Sequence, residues 1–202
     1  QEIESYRPEP EDHLHFSIVE NSKHPKITGM GVKYEGCHFK VEAKMAGKKY
    51  IGFGLDISFA DPIFEKPLLV QGSKFFEAYG IARIQARIYP PSTHLAEKLH
   101  AYTCPQEEGR VNSRCKDLVD VLLLAELLDQ TEASLLFEAF ELTFSHRGTH
   151  SIPKKLARPP EMWKEMYITI KENDDLSWKD IEEVFLRSSI FLNPILEQRD
   201  VV

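Results

Sequence analysis

The chain has 202 residues, 42% hydrophobic and 28% charged, enough for one substantial globular domain or two small ones and unlike a disordered or fibrous protein. Its 32 acidic residues outnumber 25 basic ones, for a net charge of -7; this excludes a general DNA- or RNA-coating protein, which needs clustered Lys and Arg, but leaves room for a small basic pocket. Three cysteines give no disulfide framework and point to a reducing cytoplasm, and the longest apolar run, Val121 to Ala125, is far too short to cross a membrane.

The chain opens "QEIESYRPEPEDH" with no initiating Met and no signal-peptide pattern, which gives it the look of a cut made inside a longer protein. "HLHFSIVE" follows, with Leu14, Phe16 and Ile18 at the period of a half-buried strand. "CHFKVEAKM" alternates through Cys37, Phe39, Val41, Ala43 and Met45, and the turn Ala46 to Lys49 leads into "YIGFGLDISF", which predicts a hairpin. "PLLVQG" and "IARIQARIYPP" are two further extended stretches, closed by Pro90 and Pro91.

Beyond Pro91 the period becomes helical. Ser92 or Thr93 is positioned to cap "HLAEKLHAYT", where Leu95, Leu99 and Tyr102 share a face. A polar loop, "CPQEEGRVNS", separates it from "SRCKDLVDVLLLAELL", residues 113 to 128. "EASLLFEAFELTF" is a third helix, ended by "SHRGTHSIP", and "PPEMWKEMYITIKEN" a fourth, with Pro at its start. "LSWKDIEEVFLRSSIFLNPIL" is the last, with Ser177 as cap and Asp180 at its third position. The expected class is α+β: a β-rich part over residues 1–91, then a helical part over 92–202.

Four positions are awkward for pure packing. Asp56 lies opposite the apolar face of Ile51, Phe53, Leu55 and Ile57, between Gly54 and Ser58. That is either the solvated face of an edge strand or a carboxylate presented with room for a metal and a phosphate. Lys98 shares the inward face of Leu95, Leu99 and Tyr102, so it either snorkels to water or offers a fixed positive charge to phosphate oxygens. Glu97 points elsewhere and reads as a solubilising residue. Asp117 and Asp120, at i and i+3, suit a helix start, but they share a stripe with Val121 and Leu124 and need a cation, for which Lys98, Arg114 and Lys116 are at hand. Asp61 before Pro62 reads as a turn. His94, His100, Cys104 and Cys115 fit no compact zinc spacing, and His146 and His150 are separated by a glycine in a loop. Gly72-Ser73 is followed by no glycine-rich phosphate loop.

"RIYPPSTHLAEKLHAYT" followed by "RCKDLVDVLLLAE" resembles the AbiEii/AbiGii family of nucleotidyltransferase-like toxins, and "HFKVEAKMAGKKYIGFGLDISFADP" is similar to that family's central strands. The likeness runs from about Phe16 to Leu128. It implies a minimal polymerase-β-like nucleotidyltransferase fold, a mixed β-sheet followed by a C-terminal helical bundle. It also implies Mg²⁺-dependent transfer of a nucleotide from an NTP to an RNA (such as tRNA) or protein acceptor, and a cognate antitoxin in an abortive-infection or toxin–antitoxin system. Carried over by position, Asp56 is the later strand carboxylate and metal ligand. Lys98 is the lysine facing the triphosphate, and Asp117 is the acidic residue of the last motif, with the nucleotide-binding neighbours Arg114, Lys116 and Asp120. The family's first motif, a Gly-Ser or Gly-Gly pair with a following Asp-x-Asp or Asp-x-Glu, has no counterpart before Asp56, and no Asp-x-Asp follows Gly72-Ser73. Two expectations follow: the C-terminal part of a longer enzyme, or a non-catalytic relative serving as a binding or regulatory module.

Overall fold

The computed structural model describes residues 14–27, 36–58, 64–80, 82–106, 112–128 and 133–197. Contacts divide the chain into two compact units, Gln1–Pro62 and Ile63–Val202. Strands precede helices and the fold is α+β, as the change of period after Pro91 predicts. Asp61 lies outside the described residues.

The first unit is a four-stranded sheet of β1 (Leu14–Glu20), β2 (Lys26–Ile27), β3 (Gly36–Met45) and β4 (Lys48–Ile57). Strand β3 is its centre and pairs antiparallel with the other three. The β3–β4 hairpin turns on Ala46 and Gly47 alone, with φ of 48° and 77°; such mirror-image turns match the twist of the strands and favour glycine. Pairing starts at Met45↔Lys48 and Lys44↔Lys49, then slips, so that Ala43 faces Ile51 and Tyr50 is left as the extra residue. Beyond this bulge Val41 faces Phe53, Phe39 faces Leu55 and His38 faces Asp56. The slip matters because side chains alternate with period two, and a one-residue shift exchanges the faces.

The second unit starts with a two-stranded antiparallel ribbon, β5 (Leu68–Gln71) and β6 (Gln85–Ile88), with a 3-10 helix over Lys74–Tyr79 between them. Five helices follow: α1 (Pro91–Thr103), α2 (Cys115–Leu127), α3 (Ala133–Arg147), α4 (Trp163–Asp174) and α5 (Ile181–Glu197). Helix α2 packs against α1, α4 and α5. Its Leu118, Val119, Val121 and Leu122 join Leu95 and Leu99 of α1, Phe140 of α3, Trp163 and Tyr167 of α4, and Leu192 and Ile195 of α5 in one buried cluster. Two aromatic tips in this core bond to main chain: Tyr167 Oη donates to the Trp178 carbonyl at 2.9 Å and Trp163 Nε1 to the Asn112 carbonyl at 2.6 Å.

Helix starts differ from the sequence expectation in an instructive way. Helix α1 begins at Pro91, ahead of both expected caps, and Ser92 and Thr93 are buried inside it. Proline at the first position already has the helical φ and lacks the N–H that would otherwise go unpaired. Ser92 instead donates its hydroxyl to the Glu65 carboxylate. Helix α5 is capped not by Ser177 but by Asp180, whose Oδ1 accepts the Glu183 N–H at 2.9 Å, while Glu183 Oε2 accepts the Lys179 N–H at 2.7 Å. The pair resembles a capping box, with the Glu183 carboxylate reaching one residue further back, to Lys179 rather than to Asp180 itself. Helix α3 runs on to Arg147 and stops where Gly148 adopts φ 64°.

Candidate functional site

A dense group of charges in the second unit lies where α1 crosses the start of α2. Asp117 and Asp120 stand three residues apart on the first turns of α2, as the helical period requires, and Leu118, Val121 and Leu122 beside them are buried. Lys98, two turns into α1 on its inward face, extends its ammonium between them. Nζ lies 2.6 Å from Asp120 Oδ2 and 3.2 Å from Asp117 Oδ1. The second Asp117 oxygen meets Arg114 Nη1 at 3.4 Å. Asp117 is buried, its side chain only 11% exposed, and a carboxylate so placed requires cations within reach. Burial works against the Lys98 charge, but the hydrogen bond and charge of Asp120 and those of Asp117 outweigh it and hold the ammonium above its ordinary range. His94, one turn earlier on α1, is pushed below the ordinary histidine range by burial and by Lys98, with Asp120 and Asp117 pulling the other way.

These side chains border an open pocket of about 510 Å³ lined by Lys98, Ser113, Arg114, Lys116, Asp117 and Asp120, together with Gln106. Its three cations exceed its two anions, within a chain of net charge -7. Lys98 is therefore held on two sides, whereas Arg114 and Lys116 are largely exposed, with Lys116 Nζ 3.7 Å from Asp174. Glu97, expected to serve solubility, accepts the Tyr89 hydroxyl at 3.1 Å and lies 3.7 Å from Arg147, so it ties α1 to its neighbours.

Asp56 belongs to the first unit. It stands on β4 facing His38 of β3, and His38 Nδ1 lies 2.5 Å from Asp56 Oδ1. The backbone of His38 is held at both ends: its N–H donates to the Pro25 carbonyl at 3.0 Å, and its carbonyl accepts the Asn21 N–H at 2.8 Å. The same sheet face carries Ser17, Asn21, Lys40, Glu42, Lys49, Gly52 and Gly54, which line an open trough of about 640 Å³. Glu42 is engaged by Lys49 at 3.3 Å and Lys44 at 3.4 Å, and the Lys49 hydrogen bond foremost, opposed by burial, holds its carboxyl below the usual range.

The structure thus brings Lys98, Arg114, Lys116, Asp117 and Asp120 together around one pocket of the second unit, and sets Asp56 beside His38 within the first unit. His38 escaped the sequence reading. The signal was the apolar alternation itself: a two-residue turn without a bulge would set the apolar face of β3 against the polar face of β4. Only a one-residue slip matches the faces, and that slip puts His38 opposite Asp56.

A divalent cation such as Mg²⁺ asks for several hard oxygens in near-octahedral array. Asp56 presents one carboxylate with an oxygen already taken by His38, and the Asp117–Asp120 pair already encloses an ammonium. Among the described residues no group of three or more His, Cys, Asp or Glu could hold a metal, so they do not by themselves fit one. His100 and Cys115 point to separate partners, Thr149 and the Trp163 carbonyl. No helix among the described residues is long and apolar enough to cross a membrane.

The family model described as "Nucleotidyl transferase AbiEii toxin, Type IV TA system" matches residues 3–187. No curated protein matches the chain.

Proposed function

The chain belongs to the AbiEii family of nucleotidyl transferase toxins of type IV toxin–antitoxin systems, and from that premise we propose that it moves a nucleotide from an NTP to an RNA or protein acceptor. The observation that carries this reading is the Lys98 ammonium clamped by Asp120 at 2.6 Å and Asp117 at 3.2 Å, at the rim of a pocket that also offers Arg114 and Lys116. A cation held in place before the substrate arrives stabilises charge developing on phosphate oxygens without reorganising at the moment of reaction. Arg114 and Lys116 receive the triphosphate, Lys98 neutralises it, and Asp117 and Asp120 keep Lys98 aimed. The pocket of about 510 Å³ is of the size that holds small-molecule ligands. The reading calls for an NTP, a tRNA or protein acceptor and a cognate antitoxin as partners, in the cytoplasm. Any Mg²⁺ would draw ligands from beyond the described residues, and no step above depends on it.

One observation favours the alternative, a non-catalytic binding or regulatory module: each acidic residue of interest already has a partner, Asp56 in His38 and both α2 aspartates in Lys98. Incubating the full chain with α-labelled NTPs, Mg²⁺ and either total tRNA or protein separates the two. Label on the acceptor that disappears in Lys98→Ala supports the transferase; no label on any acceptor, from any NTP, rejects it.

A further inference from the structure

We propose that Thr149 is a nucleotide acceptor and His150 the base that takes its proton, so that one copy of this chain labels another; this rests on the nucleotidyltransferase reading. Thr149 Oγ1 lies between two imidazoles of the second unit, 2.7 Å from His100 Nε2 and 2.9 Å from His150 Nδ1. The far end of the network sets the hydrogen directions. Thr103 Oγ1 donates its one hydrogen to the Leu99 carbonyl at 2.9 Å, so it accepts from His150 Nε2–H at 2.8 Å. In a neutral His150 the lone pair then resides on Nδ1 and accepts the Thr149 hydroxyl. With that hydrogen engaged, Thr149 Oγ1 accepts from His100 Nε2–H through one lone pair and keeps the other for attack. A hydroxyl set on a base whose ring is oriented by a third group is the arrangement that activates serine and threonine nucleophiles.

The local structure suits an acceptor. Helix α3 ends at Arg147, and Gly148, at φ 64° with its N–H on the Phe144 carbonyl at 2.9 Å, turns the chain so that Thr149 follows directly. Thr149 and His150 are half-buried, held in place but not sealed from solvent. Burial lowers the pKa of His150, which keeps its lone pair available near neutral pH. None of these residues lines the Lys98 pocket. Lys98 and His100 stand two residues apart, about 200° around α1: Lys98 meets Asp117 and Asp120 of α2, whereas His100 meets Thr149 beyond the end of α3. Pocket and acceptor thus face opposite sides of one helix, and the nucleotide comes from the pocket of another copy.

In the transfer, His150 Nδ1 takes the proton of the Thr149 O–H, and Oγ1 forms a bond to the α-phosphorus of the NTP. The bond from that phosphorus to the oxygen bridging to the β-phosphate breaks, its electron pair leaving with pyrophosphate. Thr149 is left as a nucleoside monophosphate ester, and the His150 imidazolium returns its proton to water.

The full chain is incubated with α-labelled NTPs and Mg²⁺, alone and in parallel with total tRNA or protein, and the labelled residue is mapped by peptide mass spectrometry. Label is expected on the chain at Thr149, retained in Thr149→Ser and lost in Thr149→Val. Its initial rate should rise with the square of the chain concentration. His150→Gln should lower labelling by about 10²- to 10⁴-fold, the usual contribution of a positioned base, and added imidazole should restore at least about tenfold of that loss. Rescue by a free base is a readout that a purely structural role would not move. Label on the chain only at other residues, or on tRNA or added protein but not on the chain, overturns the proposal and leaves the transferase reading intact. Labelling by His150→Gln within about threefold of the unmodified chain, or no rescue by imidazole, overturns the base role. A rate only proportional to concentration overturns the passage between copies. An unmodified chain that labels nothing overturns the transferase reading, and the role of Thr149 with it.

Discussion

Acidification should weaken the helical unit through one buried histidine, His100 of α1. Thr103 Oγ1 donates to the Leu99 carbonyl at 2.9 Å, so at 2.8 Å it accepts from His150 Nε2–H. His150 Nδ1 accordingly accepts the Thr149 hydroxyl at 2.9 Å, and Thr149 in turn accepts from His100 Nε2–H at 2.7 Å. The chain runs in one direction with both rings neutral. Phe144 packs edge-on against each ring at 5.0 Å. Burial first, then the nearby His150 and Arg147, lower the His100 pKa from 6.5 to about 4. Because the folded state refuses a proton that the unfolded chain accepts, nothing is lost above about pH 6.5. Stability then falls with pH and the loss is complete below about pH 4. At about 1.4 kcal/mol per pH unit the full difference is about 3 kcal/mol, and near pH 5 it is about 2 kcal/mol. His100 is only 5% exposed, so solvent screens little of this. Urea unfolding at about pH 7 and about pH 5 measures the loss, with His100→Gln as the non-titrating reference. The unmodified chain should lose about 2 kcal/mol more than the variant over that interval. Equal losses would refute the reasoning, since other groups would then carry the acid sensitivity.

Lys98→Met should lower unfolding free energy by about 1–3 kcal/mol, because it leaves Asp117 and Asp120 side by side without their cation; Asp117→Asn with Asp120→Asn in the same chain should recover most of it in urea titrations. Cys115, fully buried and with its thiol pushed up to about 11 by that burial, should resist a thiol reagent in the folded chain and react on unfolding, after Cys37 and Cys104. Phe140→Ala, at a site with no exposure, should cost about 3–5 kcal/mol in the same unfolding assay. Gly54→Leu fills open trough space rather than protein, so stability should change by less than about 1 kcal/mol in urea titrations.

Much of this protein was legible in one dimension. Period-two alternation marked β1, β3 and β4, and the 3.6-residue period placed Lys98 on the inward face of α1 and Asp117 beside Asp120 on α2. Those are local consequences of backbone geometry, and the family resemblance rested on the same residues. Helix starts were less legible because several residues competed for each cap: Pro91 pre-empted Ser92 and Thr93, and Asp180 with Glu183 displaced Ser177. Partners between elements were decided only by packing. Which cation answers Asp117 and Asp120 depended on where α1 crosses α2, and the answer was chiefly Lys98, with Arg114 on the far oxygen of Asp117. Which residue answers Asp56 depended on one bulge at Tyr50. Without it His38 would oppose Leu55 and apolar side chains would meet polar ones across the hairpin. Matching the apolar alternation of β3 to that of β4 requires the slip, and the slip delivers a histidine to the aspartate.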